Sequence, residues 1–192
     1  MKHRFILYVL VFMIGLKAWS QNGFVAKTVQ ILENSELSIS GDTNISGFGC
    51  EFNTFYMEAY NEIRYNKVGD NIIFKNAVLS LKNEGFDCGS KGINKDFHSL
   101  LNTKEYPKIT LELTEINLID GDKSKACVKI TIAGKEKGYI VPIAIITEPT
   151  HRFIGELKLD IRDFGLKPPK KMLGLIVIKE EIEIDFNLVA KL

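Results

Sequence analysis

Hydrophobic and polar residues alternate along most of the chain, the period-two pattern that sends successive side chains to opposite faces of a sheet. In KITLELTEINLID, residues 108–120, Ile109, Leu111 and Leu113 share one face, and Lys108, Thr110, Glu112 and Thr114 share the other. ACVKITIAGKEKGYIVPI, residues 126–143, sets Val128, Ile130 and Ile132 against Lys129 and Thr131, then turns through 134–137 into a second run, as a hairpin does. GELKLDIRDF, residues 155–164, places Leu157, Leu159 and Ile161 opposite Lys158, Asp160 and Arg162. The cleanest case is EEIEIDFNLVAKL, residues 180–192, where Ile182, Ile184, Phe186, Leu188 and Ala190 oppose Glu181, Glu183, Asp185 and Asn187.

Upstream, ELSISG (36–41) alternates at Leu37 and Ile39, and NISGFGCEFN (44–53) reads as a strand weakened by Gly47 and Gly49. NIIFKNAVLSLKNEGF (71–86) is long enough for one strand that bends. NTFYMEAYNEIRYNKV (53–68) fits helix or strand, and the β preference of Phe55, Tyr56, Tyr60 and Tyr65 selects strand for part of it. About eight half-apolar strands with short turns make an all-β antiparallel sandwich or barrel, and only a barrel removes both edges. The long bent strand, the glycine kinks and the full apolar stripe of the last strand favour the barrel. Its interior holds either packed side chains or one small ligand, and alternation alone leaves both open.

One segment breaks the pattern. In FDCGSKGINKDFHSLLNTKEYPKI, residues 86–109, Asn94 is placed to cap a short helix over residues 95–101, with Asp96 in its first turn. Ile93, Phe97, Leu100 and Leu101 form one apolar face, so the helix packs on something, and Tyr106-Pro107 leads into the next strand. Cys88, Asp96 and His98 lie close enough in sequence to test for a nucleophilic pair. A glycine-containing turn separates Cys88 from His98 and no third, orienting group stands out, so an exposed helix histidine is the favoured reading.

Lys2 and Arg4 precede an apolar run over 5–16, with Ala18 and Ser20 before Gln21: the pattern of a secretory signal peptide over 1–20, cleaved near Ser20/Gln21. The run is shorter than the roughly 20 residues a bilayer crossing needs. The expected product is one soluble domain, 21–192, periplasmic or secreted, with no stable membrane insertion. Cleavage removes Lys2, Arg4 and Lys17, three fewer basic side chains, and turns the formal charge from +1 to −2. Lysines and glutamates are interspersed along the strands, which speaks against nucleic acid as a partner.

Three cysteines, Cys50, Cys88 and Cys127, in an exported protein imply one disulfide and one remaining thiol, with three pairings open. None has zinc-ligand spacing, and after cleavage only His98 and His151 remain, so no metal site and no cofactor are expected. KPPKK, residues 167–171, reads either as a solvated loop or as a contact for anionic head groups, the solvated loop being the favoured reading. Asn44 heads a glycosylation sequon by pattern. Phosphate loops, dinucleotide fingerprints, nucleophile elbows and paired catalytic carboxylates do not occur in the sequence.

Taken in order, GDTNISGFGCEF (41–52), the helical segment (86–109), VKITIAGKEKGYIVPI (128–143) and LKLDIRDFGLKPPKKMLGLIVIKEEIEIDFNLVAKL (157–192) resemble the YceI-like family. Thr43-Asn44, Tyr106-Pro107, the 131–134 hairpin approach and Asp163-Phe164-Gly165 carry the likeness. The chain departs from the family at Ile93 and Phe97, where methionines are usual, and at Val128 and Lys129, where a glycine is common. The resemblance implies an extended lipocalin-like barrel and an exported, non-catalytic protein binding a long apolar lipid of the polyisoprenoid or isoprenoid-quinone type. It also implies a Cys50–Cys88 bridge with Cys127 free.

The inward stripes that such a ligand would meet are Ile109, Leu111 and Leu113; Val128, Ile130 and Ile132; Leu157 and Leu159; and Ile182, Ile184, Phe186 and Leu188. Two other readings stand beside this one: a ligandless envelope-stress or interaction module with a filled barrel, and a thiol-dependent enzyme. The partner expected is an apolar lipid, with homodimerisation left open.

Overall fold

A computed structural model describes residues 23–59, 62–120, 123–168, 170–171 and 176–192; the expected signal peptide and its cleavage point lie outside them. The strands are β1 Val25–Thr28, β2 Gln30–Ile31, β3 Glu36–Thr43, β4 Gly47–Phe52, β5 Met57–Ala59, β6 Glu62–Val68, β7 Asn71–Lys75, β8 Val78–Lys82 and β9 Phe86–Asp87. One α-helix, α1 Lys91–Leu100, precedes β10 Lys108–Asp120, β11 Lys123–Ile132, β12 Lys135–Ile146, β13 His151–Asp160, β14 Lys170–Lys171 and β15 Ile176–Lys191.

These strand segments outnumber the eight expected because strand lines are broken into pieces and because β1, β2 and β14 are short additional strands. β4 and β5 are one line interrupted by the 3-10 turn Thr54–Tyr56, and β8 and β9 are one line interrupted by the 3-10 turn Asn83–Gly85. The two lines pair antiparallel on both sides of the turns, Glu51 with Asp87 and Phe52 with Phe86, then Met57 with Leu81 and Ala59 with Leu79. Each step forward on one line matches one step back on the other, so the register survives the interruption. From there the ladders run β8·β10, β10·β11, β11·β12, β12·β13, β13·β15, β15·β3 and β3·β4, which returns to the start. The ring has eight strand lines, every pairing antiparallel. β7, β6 and β1 extend the sheet from the far half of β10.

Local chemistry explains the departures from ideal strands. The run expected to bend is broken between β7 and β8, where Asn76 takes φ 60°. Both pieces pair with β10, so it remains one bent wall. The β11–β12 turn is tighter than expected: Ala133 and Gly134 form it alone, with φ 47° and 76°, the positive values a two-residue hairpin turn requires. A Cβ on Gly134 would also come 2.6 Å from the ring of Tyr106, so the turn and the Tyr-Pro corner fit only around a glycine. In β10 one residue, Thr114, is inserted between the pairs Leu113–Val128 and Glu115–Cys127. This bulge shifts the inward phase from Ile109, Leu111 and Leu113 to Ile116.

The helix starts earlier than expected. Ser90, not Asn94, caps it, accepting from the Ile93 N–H at 3.3 Å, which places Asn94 inside the first turn. Asn94 instead accepts the Cys88 N–H at 2.6 Å and donates to Asp87 at 3.0 Å, fastening α1 to β9. The Cys50–Cys88 disulfide adds a covalent tie between β4 and the residue before the helix turn.

The β12–β13 ladder spans only Ile143–Gly155 to Ile146–Arg152. Beyond it the 3-10 turn Ile161–Phe164 packs on β12: Phe164, almost fully buried, stacks on Tyr139 at 6.3 Å, and the Tyr139 hydroxyl donates to Asp163 at 3.1 Å. Burial, together with the Asp163 carboxylate, pushes the Tyr139 hydroxyl well above its ordinary pKa, which keeps it a donor. Lys137 completes the set with a 2.8 Å ion pair to Asp163.

Gly155 makes room for the ring of Phe186, its cross-strand partner; a Cβ there would lie 2.6 Å from the ring and 2.9 Å from the Pro142 carbonyl oxygen. Gly155→Ala therefore overpacks the wall and lowers stability by about 1–3 kcal/mol, measured by urea unfolding. Cys50→Ser removes a cross-link over a sequence separation of 38 and costs about 2–4 kcal/mol in the same assay. Thiol labelling of unreduced, unfolded wild type then counts one thiol, Cys127.

Candidate functional site

The barrel encloses two apolar cavities stacked along its axis. The larger, about 500 Å³, lies at the α1 end and is walled by Ile109 and Leu111 of β10, Ile130 and Ile132 of β11, Ile178, Ile182 and Ile184 of β15, and Leu37 and Ile39 of β3. The smaller, about 230 Å³, occupies the opposite half, between Leu113, Val128, Leu157, Phe186 and Leu188 and, further out, Ile63, Phe74 and Phe153. Leu37, Leu111 and Ile184 line both cavities and mark the waist between them. The larger volume alone falls within the roughly 300–1,000 Å³ usual for ligand pockets.

Alternation makes these walls. An inward stripe of β-branched and leucine side chains needs a partner, and a closed ring brings the stripes to face one another. The bulge at Thr114 continues the lining past the waist, because without it Ile116 would face solvent.

Helix α1 covers the larger cavity with Ile93, Phe97, Leu100 and Leu101, the apolar face legible in the sequence. Phe97 packs on Phe86 at 5.1 Å, and Phe86 on Phe52 at 4.7 Å, so the cover is seated on the ring-closing ladder. At its far end, the buried Asn83 side chain donates to the Tyr106 carbonyl at 2.9 Å and to Thr103 at 3.1 Å. Asp87 receives the Asn94 amide and the Gly89 N–H, which hold its carboxyl below the usual range.

The cavity opens to solvent between the start of α1 and the β3–β4 tip. Among the described residues, the polar lining gathers at this mouth: Thr43 and Ser46 on the tip, Ser90 and Asp96 on the helix side. The tip is rigidly built. Thr43 Oγ1 accepts from the Ile45 and Ser46 N–H groups and donates to the Ser46 carbonyl, while Asn44 Oδ1 accepts the Val177 N–H at 2.9 Å. Every residue lining the smaller cavity is apolar, and no lysine or arginine lines either among the described residues.

Eleven of the twelve inward residues expected from the sequence line one or both cavities. Leu159 is the departure: it is buried, at 2% exposure, but lines neither. β13 passes there into the turn that folds across the barrel end, so Ile161 and Leu166 take the lining positions. The sequence reading missed Phe48, Leu81, Ile63 and Phe74, which lie in strands of five to seven residues with too few alternating positions to assign a face, Leu166, which lies outside any strand, and Phe153, which precedes the alternating run that starts at Gly155.

The thiol chemistry weighed earlier is not assembled. Cys88 is bonded to Cys50, and His98 lies 3.4 Å from the Thr103 hydroxyl and edge-on to Phe97. Cys127 stands between the inward Ala126 and Val128, hence on the outer face of β11. Three carboxylates, Glu156, Glu183 and Asp185, approach one another on the outer wall, where Lys158 bridges Glu156 and Glu183 at 3.4 and 3.1 Å. Desolvation and the two neighbouring glutamates push the Asp185 carboxyl upward.

The fold is shared with solved structures. BcnA of Burkholderia cenocepacia superposes with a TM-score of 0.70 at 21% identity, covering 84% of this chain and 100% of its own. A polyisoprenoid-binding domain of Saccharophagus degradans implicated in plant cell wall breakdown matches with a TM-score of 0.58 at 12% identity, over 86% and 98% of the two chains. A YceI protein of Campylobacter jejuni matches with a TM-score of 0.51 at 18% identity, over 92% and 96%. No curated protein sequence matches significantly. The model of the YceI-like domain matches residues 33–190, which span the whole ring of strands and the covering helix. The chain therefore belongs to the YceI-like family.

Proposed function

We propose that this protein is an exported, non-catalytic carrier that holds one long apolar lipid, of the polyisoprenoid or isoprenoid-quinone type, through both cavities. The observation that carries this reading is the pair of apolar cavities with Leu37, Leu111 and Ile184 as common lining, the polar lining residues being confined to the mouth of the larger. A filled barrel would leave no such volume, and an enzyme would need converging polar groups inside. The similarity to a polyisoprenoid-binding domain supports the same ligand class. A disulfide joining β4 to the helix supports export, since such bonds persist in oxidising compartments. Among the described residues no helix is long and apolar enough to cross a membrane.

Binding is driven by withdrawal of hydrocarbon from water, about 0.8 kcal/mol for each CH2. The chain's polar end stays at the Thr43, Ser46, Ser90 and Asp96 mouth, and its tail passes the waist into the all-apolar lobe. A long chain is selected because only it reaches past Ile184.

Delipidated protein takes up a long-chain prenol, seen by native mass spectrometry as a stoichiometric adduct. Ile184→Trp blocks the waist. Losing three methylenes of burial costs about 2.4 kcal/mol, so the variant binds the long chain roughly fiftyfold more weakly and a short prenol unchanged. A wild type that takes up neither prenols nor quinones contradicts the carrier reading.

A further inference from the structure

The mouth of the larger cavity carries a feature that holding a ligand does not need. Three large apolar side chains stand in solvent around it: Ile45 on the β3–β4 tip at 69% exposure, Val177 at the start of β15 at 48%, and Ile93 on the first turn of α1 at 42%. They come from three separate elements. Asn44 joins two of these, pairing with Val177 through its backbone N–H at 3.0 Å and its side chain. Ile45 and Ile93 line the cavity as well as projecting from it, so the greasy rim is continuous with the interior.

Lysines border the same rim. Leu166 lines the cavity and Lys167, exposed, follows it; Lys170 is paired in register with Val177 and Lys171 with Ile176. Lys91 and Lys95, both exposed, flank Gly92, Ile93 and Asp96 on the helix. Segment 167–171 contains three lysines and no acid. Of the acids nearby, Asp96 lies at the mouth itself, while Asp42 pairs with Lys179 at 3.1 Å, Asp163 with Lys137 at 2.8 Å, and Asp160 with Arg162. Exposed apolar residues at the other end, such as Val68, Ile73 and Ile119, sit instead among both signs of charge, Glu62, Asp70, Glu115 and Asp120 beside Lys67, Lys75 and Lys123.

We propose that this rim is a docking surface for an anionic lipid bilayer, with Ile45, Val177 and Ile93 entering the interface and Lys91, Lys95 and Lys167 meeting acidic head groups. Apolar residues ringed by lysines match the chemistry of such an interface, where each lysine near the surface adds attraction that salt screens. Docked this way, the mouth faces the acyl region, and a lipid passes between bilayer and barrel without crossing water. The inference rests on the carrier reading, but its test is separate.

Folded protein, with residues 21–192 intact, is floated with vesicles of phosphatidylglycerol and phosphatidylcholine in equal parts, or of phosphatidylcholine alone. Prenol uptake from detergent micelles is measured in parallel on every variant. The expected result is flotation on the anionic vesicles only, weakened by salt. Lys91→Glu/Lys95→Glu/Lys167→Glu lowers partitioning about a hundredfold, at roughly fivefold per lysine lost. Val177→Asp, at a rim residue that lines neither cavity, lowers it at least about tenfold, and both variants keep micellar uptake. Wild type that fails to float on anionic vesicles, or variants that float as well as wild type, overturn the docking surface. Flotation with the expected variant losses but no micellar uptake by wild type upholds docking and overturns the carrier reading.

Discussion

Everything inside the barrel depends on one ladder, the pairing of the β4–β5 line with the β8–β9 line. Both partners leave extended geometry there, and the ladder keeps register because the two 3-10 turns oppose one another and consume equal lengths of chain. Asn53 and Gly85 bridge the turns through the Asn53 N–H to the Gly85 carbonyl at 2.8 Å. Gly85 is required by space, since a Cβ there would lie 2.6 Å from Tyr56 and 2.7 Å from the Phe52 ring. With this ladder made, the inward stripes of β3, β10, β11 and β15 face each other across a volume. If it opened, the same stripes would form an apolar face on a curled sheet.

The covering helix is secured to that ladder rather than to the rest of the wall. Phe97 sits on Phe86, Asn94 binds β9, and the disulfide reaches β4, so closure of the ring and placement of the cover use the same strands. The opposite flank of this end is closed by Ile161, Phe164 and Leu166, held by the Tyr139–Asp163–Lys137 set. Among the described residues around this end, the β3–β4 tip and the helix start bound the opening. Polar and exposed apolar residues collect there, while the far lobe is lined by apolar residues alone.

Long strands were legible in the sequence because one wet and one dry face write alternation into it. Ile109 to Leu113, Val128 to Ile132 and Ile182 to Leu188 face inward as their spacing predicts. The apolar face of the helix was legible for the same reason at its own period. What alternation does not carry is a count of inserted residues: Thr114 reverses the phase of β10 with no mark in its residue type. Nor does it separate Ser90 from Asn94 as the cap, since both side chains are competent and the choice falls to Asn94 being needed by Cys88 and Asp87. Leu159 shows the limit of a stripe, which says inward but not whether a neighbouring turn will cover it. The cysteine pairing was open from spacing alone and came from family resemblance.

The central claim is that a single apolar chain occupies both cavities through the waist. Methyl-labelled protein carrying a long-chain prenol tests this by filtered NMR contacts between ligand protons and protein methyl groups. The account predicts contacts from one ligand to Ile130 and Ile132 in the larger cavity, to Leu111 and Ile184 at the waist, and to Val128 and Leu188 beyond it. Contacts confined to the outer surface, or absent from every inward methyl group, would contradict it.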